Sequence, residues 1–503
     1  MSDITSLVPT SVWMFFDRIT KIPRPSKKEE RMIAYLVEFA KSAGLEYHKD
    51  GAGNVLIRKP AYPGYEERPV VILQSHMDMV CEKNSEVSFD FEKDPIRTRI
   101  EEGWVKADGT TLGADCGIGM AAQLAVLAAK DIPHGPIECL FTVDEETGLT
   151  GAFELSDDLL SGKYLINLDS EDEGQIFIGC AGGIDTLADF QYEREELPKN
   201  YEFYRVDVGG LVGGHSGDDI DKGRANSNKI LARWLAPLTD ELDMRLVYFD
   251  GGNLRNAIPR EAYAVFGVPV RETDRMKDLF ERFVRNLRDE FGKTEAGMKI
   301  TLSEIPVSDK VIDLETQRNL LDALLGVQNG VLAMSRTMPG MVETSTNLAS
   351  VKFVGELLIE VATSQRSEIE SARNNAAASV EAVFRLAGAD VVHSDGYPGW
   401  APDPDSYLTQ TTRRVYRTLF GHDPVVRSIH AGLECGLFLQ KYPNLQMVSF
   451  GPTLRGVHSP DERLEIASVE KFWKLLVALL QEIRKIYGIS AELQQINATG
   501  FDN

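Results

Sequence analysis

"IECLFTVDEE", residues 137–146, is a mostly apolar run that closes on two neighbouring carboxylates. Along a strand, successive side chains point to opposite faces. Glu145 and Glu146 would therefore diverge if the strand ran on through them. Either a solvated loop follows, or the strand stops and both carboxylates reach one site with different tasks. The flanking segments bear on the choice. "NVLIRK" (54–59), "PVVILQSHMD" (69–78) and "YLINLDSED" (164–172) also read as strands, and the last two again carry polar residues at their ends. "KKEERMIAYLVEFAKSAG" (27–44) and "GIGMAAQLAVLAAK" (117–130) read as helices between them. Apolar strands alternating with helices predict an α/β domain built on a mostly parallel sheet flanked by helices. Ligands of such sheets bind beyond the carboxyl ends of the strands. His76, Asp78, Glu145, Glu146 and Asp169 all fall there, which favours the site over the loop.

The pattern changes after about residue 186. "YEFYRVDVGG" (201–210), "MRLVYFDGG" (244–252) and "AYAVFGVPV" (262–270) are strand-like, with helical segments around them. A second round opens at the strand "GMKITLSEIP" (297–306). We read 187–391 as an inserted lid of two tandem α+β units. From 392 the first texture returns, with a helix at 406–421, a strand at 445–452 and a long helix from Val469 to Tyr487 stopped by Gly488. The expected organisation is thus a catalytic domain from 1–186 and 392–503, interrupted by the lid.

Of 503 residues, 77 are acidic and 54 basic, a net charge of −23. Such a surface repels phosphate backbones and anionic lipid, so neither nucleic acid nor membrane is an expected partner. The apolar runs fall short of the roughly 20 residues of a membrane span. Five scattered cysteines (Cys81, Cys116, Cys139, Cys180, Cys435) form no C-x-x-C pair, which points to a reducing compartment. The N-terminal stretch has no signal-peptide pattern. A cytoplasmic protein is expected.

His76 and Asp78 stand two apart on a strand end, so the carboxylate can orient the imidazole, as the partner of a metal-bound histidine does. Asp115, before a glycine-rich helix start, reads in isolation as an N-cap; Asp169 reads as a loop acid, and His458 as a surface histidine. Together with Glu146 they make a set of imidazole and carboxylate ligands without thiolate. That composition suits two Zn²⁺ ions per chain, with Mn²⁺ or Co²⁺ as substitutes.

"SHMDMV", "GTTLGADCGIG", "FTVDEETG", "LDSEDEG", "VGGHSGDDI" and "GPTLRGVHSPDE" resemble the motifs of the aminoacylase–carnosinase family of di-zinc exopeptidases. "IPRPS", "GCAGG" and "IHAGLECGLF" are similar to a bacterial branch that splits Xaa-His dipeptides. The resemblance implies a zinc-exopeptidase fold and a set of roles. His76 and Asp169 would hold one zinc, Glu146 and His458 the other, with Asp115 bridging. Glu145 would be the general base that activates water between the ions; the alternative swaps the two glutamates. A cis peptide after Asp115 is also implied. His215 would stabilise the oxyanion, Asn256 would contact substrate, and Arg366 would bind its carboxylate. Glu434 and His430 lie in a loop that departs from the family's usual glycine-threonine-aspartate pattern. They are candidates for the substrate amine or a C-terminal imidazole. The implied activity is a metallo-dipeptidase acting on Xaa-His dipeptides such as β-alanyl-histidine. The alternatives are an aminoacylase, a broad aminopeptidase, or an inactive metal-binding protein. Monomer and homodimer both remain open; many relatives pass the lid histidine to a partner, and a doubled lid would let one chain complete its own site.

Overall fold

The computed structural model describes residues 4–196, 199–306, 310–355 and 357–484. They divide into two compact units. Gly179–Pro402 and Ser428–Gly436 form one, and the remaining described residues form the other.

The first unit is built on an eight-stranded sheet. Its strand order is Glu46–Lys49, Val55–Lys59, Ile137–Thr142, Val71–His76, Tyr164–Asn167, Gln446–Ser449, Gln175–Cys180, Val425–Ile429. The four strands from Ile137–Thr142 to Gln446–Ser449 are mutually parallel. Val55–Lys59 and Gln175–Cys180 join them antiparallel. The sheet is therefore parallel at its centre and mixed at its margins. Ile137–Thr142, Val71–His76 and Tyr164–Asn167 are buried along their whole length. Only strands covered on both faces lose water this completely, which is why they read as apolar runs. The helix Ala114–Ala128 packs on Val71–His76. His76 pairs in register with Thr142, and Gln74 with Asn167. Three adjacent strands thus end at nearly one level. A separate four-stranded sheet pairs Leu454–Arg455 and Arg463–Glu465 with Trp104–Ala107 and Thr98–Glu101. The last helix is Ile466–Glu482; its expected end at Tyr487 and Gly488 lies outside the described residues.

The second unit carries one long antiparallel sheet, ordered Lys299–Glu304, Tyr201–Gly209, Ala262–Pro269, Arg245–Gly251, Val342–Val354, Leu358–Ser367, Gly182–Gln191, Asp390–His393. It splits into two halves of matching element order, strand–helix–strand–strand–helix–strand. Numbered within each half, the strands run 4-1-3-2 and then 2-3-1-4 about the join at Gly251 and Val351. The two α+β units are nested rather than tandem. Gly182–Gln191 opens the second half, the chain then completes the first, and only afterwards returns. Lys299–Glu304, expected to open the second unit, pairs with Tyr201–Gly209 and closes the first.

The unit boundaries accordingly fall at 178/179 and 402/403 rather than at 186/187 and 391/392. Gly182–Gln191 belongs to the long sheet, and Cys180 and Gly183 bridge to Trp400 and Tyr397. The segment Ser428–Gly436 also joins this unit, where the carbonyls of Ile429 and Ala431 accept from the Ala181 amide. Four helices supply its apolar cover, with Trp234, Phe249, Phe266 and Phe384 in the core.

Candidate active site

After Thr142 the chain turns sharply. Asp144 takes a left-handed conformation, φ 51 and ψ 48, and Glu145–Gly148 forms a single helical turn. Successive residues on a helix stand about 100° apart rather than 180°, so both glutamates can face one site. Asp78 fixes them there. Its carboxylate accepts from the amides of Glu145 (3.0 Å) and Glu146 (3.2 Å) and from the Ser26 hydroxyl (2.8 Å). Asp78 Oδ1 also lies 3.3 Å from His76 Nδ1, so one buried carboxylate orients three site residues.

Asp115 stands at the centre. Asp115 has extended torsions at a kink in the first turn of its helix, and its two carboxylate oxygens face the His76 and His458 rings, which is more than a cap requires. The Asp115–Cys116 peptide is cis. His76 Nε2 lies 3.1 Å from Asp115 Oδ1 and 3.3 Å from Asp169 Oδ1. His458 Nε2 lies 3.3 Å from Asp115 Oδ2 and 3.1 Å from Glu146 Oε2. The two oxygens of Asp115 thus serve two separate groups. Ligand atoms of His76, Asp115 and Asp169 cluster within 4.8 Å, as do those of Asp115, Glu146 and His458, and those of His76, Glu145 and Glu146. His458 is half exposed and has φ 60. Left-handed backbone is uncommon for a residue with a side chain, and here the turn carries the imidazole.

The electrostatics show a shortage of positive charge. Burial pushes Asp169 up to about 6, with Asp115 adding to the rise against His76. Burial, then Asp115 and Asp169, push Glu171 up to about 8. Hydrogen bonding to Asp115 and then Glu146 lifts the His458 imidazole to about 11, against burial. Glu146 Oε1 is buried without a hydrogen bond. Five carboxylates, counting Asp78 and Glu145, share two imidazoles, and a divalent cation at each of the two clusters that share Asp115 would offset the excess. The donor set therefore fits two hard or borderline cations. Cys116 falls in one cluster, but its thiol bonds the Leu168 carbonyl at 3.3 Å, and burial keeps it protonated.

The second unit gathers other candidates. His215 lies on the short strand Gly214–His215, and its Nδ1 accepts from the amides of Gly217 and Asp218, both at 3.2 Å. That leaves the proton on Nε2. Burial and then Arg366 lower its basicity, so the ring is a neutral Nε2–H donor. Arg366 is a strand residue. It lies in Leu358–Ser367, paired with Ser345 and Gly183; the helix starts at Glu370. It is 7 % exposed and donates to the Tyr397 hydroxyl at 2.9 Å. His430 is buried, with Nε2 2.8 Å from Ser345 Oγ. Burial, then Arg366 and His215, push it down to about 3. Glu434 is buried in the same segment. The Asn256 side chain is exposed, while its carbonyl accepts from the Ser216 amide at 2.8 Å. Ser26, Ser345 and Tyr397 had no role in the sequence reading; each acts by orienting another side chain, and nothing in its spacing announces that.

No helix among the described residues is long and apolar enough to cross a membrane. Residues 72–482 match the family model described as "Peptidase family M20/M25/M40". The chain is 44% identical over 483 residues to the cytosol non-specific dipeptidase of Escherichia coli, covering 96% of this chain and 99% of that one. The crystal structure of aminoacylhistidine dipeptidase from Vibrio alginolyticus superposes with a TM-score of 0.90 at 46% identity, again over 96% and 99% of the chains. The aminopeptidase PepT of Bacillus cereus shares the fold at 17% identity, with a TM-score of 0.56 over 95% of this chain and 99% of that one. A match spanning most of the sequence, over a site assembled from the motifs that first suggested it, establishes the family: the chain belongs to peptidase family M20/M25/M40.

Proposed function

We propose that the protein hydrolyses dipeptides, Xaa-His dipeptides among them, with the help of two divalent cations, Zn²⁺ in the native enzyme. The observation that carries this reading is the division of Asp115 between His76 on one oxygen and His458 on the other. His76, Asp169 and Asp115 Oδ1 would hold one ion; His458, Glu146 and Asp115 Oδ2 would hold the second. When bound, such a pair supplies Lewis acidity and brings the pKa of water toward neutrality.

The chain's own groups do the rest. Glu145, oriented through its amide by Asp78, takes the proton of the attacking water and returns it to the departing amine. Asp78 holds the His76 ring in place. His215 offers its Nε2–H to the oxygen of the tetrahedral adduct, where charge develops. Arg366, steadied by Tyr397, offers a planar fork to the substrate carboxylate. Asn256, His430 and Glu434 are assigned to the remaining substrate contacts. Neither Glu145 nor His215 is needed to hold metal, so their presence favours an enzyme over a metal-storage protein. The aminoacylase and aminopeptidase readings differ in the substrate amine. Chelator-stripped protein reloaded with Zn²⁺ should cleave β-alanyl-histidine and other unblocked dipeptides, and leave tripeptides and N-acyl amino acids largely intact. Preference for N-acyl amino acids, or activity unaffected by stripping, would overturn the assignment.

A further inference from the structure

The loop that carries Asp115 is held from both sides by a buried ion of each sign. Glu462 is 2 % exposed. Its carboxylate accepts from four successive amides: Leu112 (2.7 Å) and Gly113 (2.9 Å) on Oε2, and Ala114 (2.8 Å) and Asp115 (3.4 Å) on Oε1. Arg24 is 1 % exposed and donates to the carbonyls of Met77 (3.0 Å), Asp78 and Gly113. Gly113 therefore gives its N–H to the carboxylate and receives the guanidinium on its carbonyl. A Cβ at Gly113 would come within 2.6 Å of Arg24 Nη2, and one at Gly117 within 2.8 Å. Two glycines thus make room for one side chain.

The same guanidinium fastens Asp78, whose carboxylate in turn receives the amides of Glu145 and Glu146. Glu462 follows His458 by four residues, in the turn between Leu454–Arg455 and Arg463–Glu465. That turn therefore grips Asp115 twice, through the His458 ring at 3.3 Å and through the backbone by Glu462.

Burying unpaired full charges is costly, and apolar packing usually holds a loop as well. Here each ion spends its hydrogen bonds on backbone groups that border the candidate ligands. We propose that Arg24 and Glu462 are positioning residues for the cation pair: a two-ion brace that sets the Asp115 carboxylate against the His76–Asp78 strand end. The proposal rests on the two-cation reading above.

The test uses the full-length chain with Glu462→Gln, Glu462→Asp and Arg24→Lys. Glutamine turns an N–H₂ toward backbone donors, aspartate withdraws the carboxylate by one methylene, and lysine exchanges the fork for a single point of charge. Zn²⁺ affinity is measured by competition with a chromophoric chelator, alongside kcat, KM and the melting temperature of metal-free protein. Affinity should weaken by roughly 10- to 100-fold, the range for groups that orient ligands. At saturating Zn²⁺, kcat should fall while KM holds. Variants that melt earlier yet bind Zn²⁺ and turn over like the parent would reduce the brace to a support of the fold. Failure of all three to fold would do the same. A parent chain that binds no pair of ions would instead sink the metal reading beneath the proposal.

Discussion

Glu145 and Glu146 share one helical turn but are asked for opposite services, and single-atom changes separate them. Glu145→Gln keeps the shape and removes the proton acceptor; kcat should fall by ~10²- to 10⁴-fold with two ions per chain retained. Glu146→Gln should lose the ion shared with His458. Elemental analysis beside kcat decides the matter, since a metal-poor Glu145→Gln protein would exchange the two roles. His430 offers a second handle. Its folded value of about 3 lies below the ordinary 6.5, so between those values the unfolded chain binds more protons. The stability tied to neutral His430 is complete above 6.5 and drains as pH falls toward 3, with a slope of at most about 1.4 kcal/mol per pH unit. His430→Gln should flatten the acid side of a plot of urea midpoint against pH; an unaltered slope would refute the assignment. The side chains that gather around Asp115 were legible in the sequence because motifs such as "SHMDMV" and "GVHSPDE" mark them. Arg24 and Glu462 sat inside quoted motifs without a role. Their partners are backbone amides and carbonyls, which every residue possesses, so no pairing of residue types betrays them.

At the scale of elements, strand ends were easier to read than strand partners. Val71–His76 and Ile137–Thr142 are apolar throughout because both faces are covered, and their polar ends mark the site. Val342–Val354, the longest described strand of the second unit, escaped notice. Its sequence "VETSTNLASVKFV" is rich in threonine, serine and asparagine, yet most of it is buried. Its polar groups are met inside the unit, as when Asn347 donates to the Ala257 carbonyl at 2.8 Å and Gln365 to Thr346 at 3.2 Å. Composition cannot foresee such satisfaction. The junction after Ile137–Thr142 yields a prediction of its own. Asn54 is fully buried, accepts from the Val143 amide at 3.1 Å and donates to the Gly151 carbonyl at 2.8 Å. It ties down both ends of the segment that presents Glu145 and Glu146. Asn54→Ala strands two buried backbone groups, each worth ~1–3 kcal/mol when left unpaired. The metal-free protein should melt several degrees earlier; an unchanged melting temperature would show that the segment holds itself.

At the scale of the molecule, the division into two units separates two kinds of chemistry. Every candidate cation ligand, from His76 to His458, belongs to the unit built on the eight-stranded sheet. His215, Arg366, His430 and Glu434 belong to the other, which has its own apolar core. The sequence suggested the discontinuity but not the nesting, because a strand's partners depend on pairings across 100 residues and more that leave no local trace. A ligand that binds only folded protein stabilises what it binds by RT ln(1 + [L]/Kd), about 2.7 kcal/mol at a hundredfold excess over Kd. Cations held by one unit should therefore stabilise that unit alone. Scanning calorimetry of the whole chain should resolve two transitions. Zn²⁺ should raise one of them and a chelator should lower it, while the other stays in place. His430→Gln should alter the pH dependence of the stationary transition only. A single transition that moves as a whole with Zn²⁺ would mean that the units unfold together, and that the charge balance around Asp115 governs the stability of the entire chain.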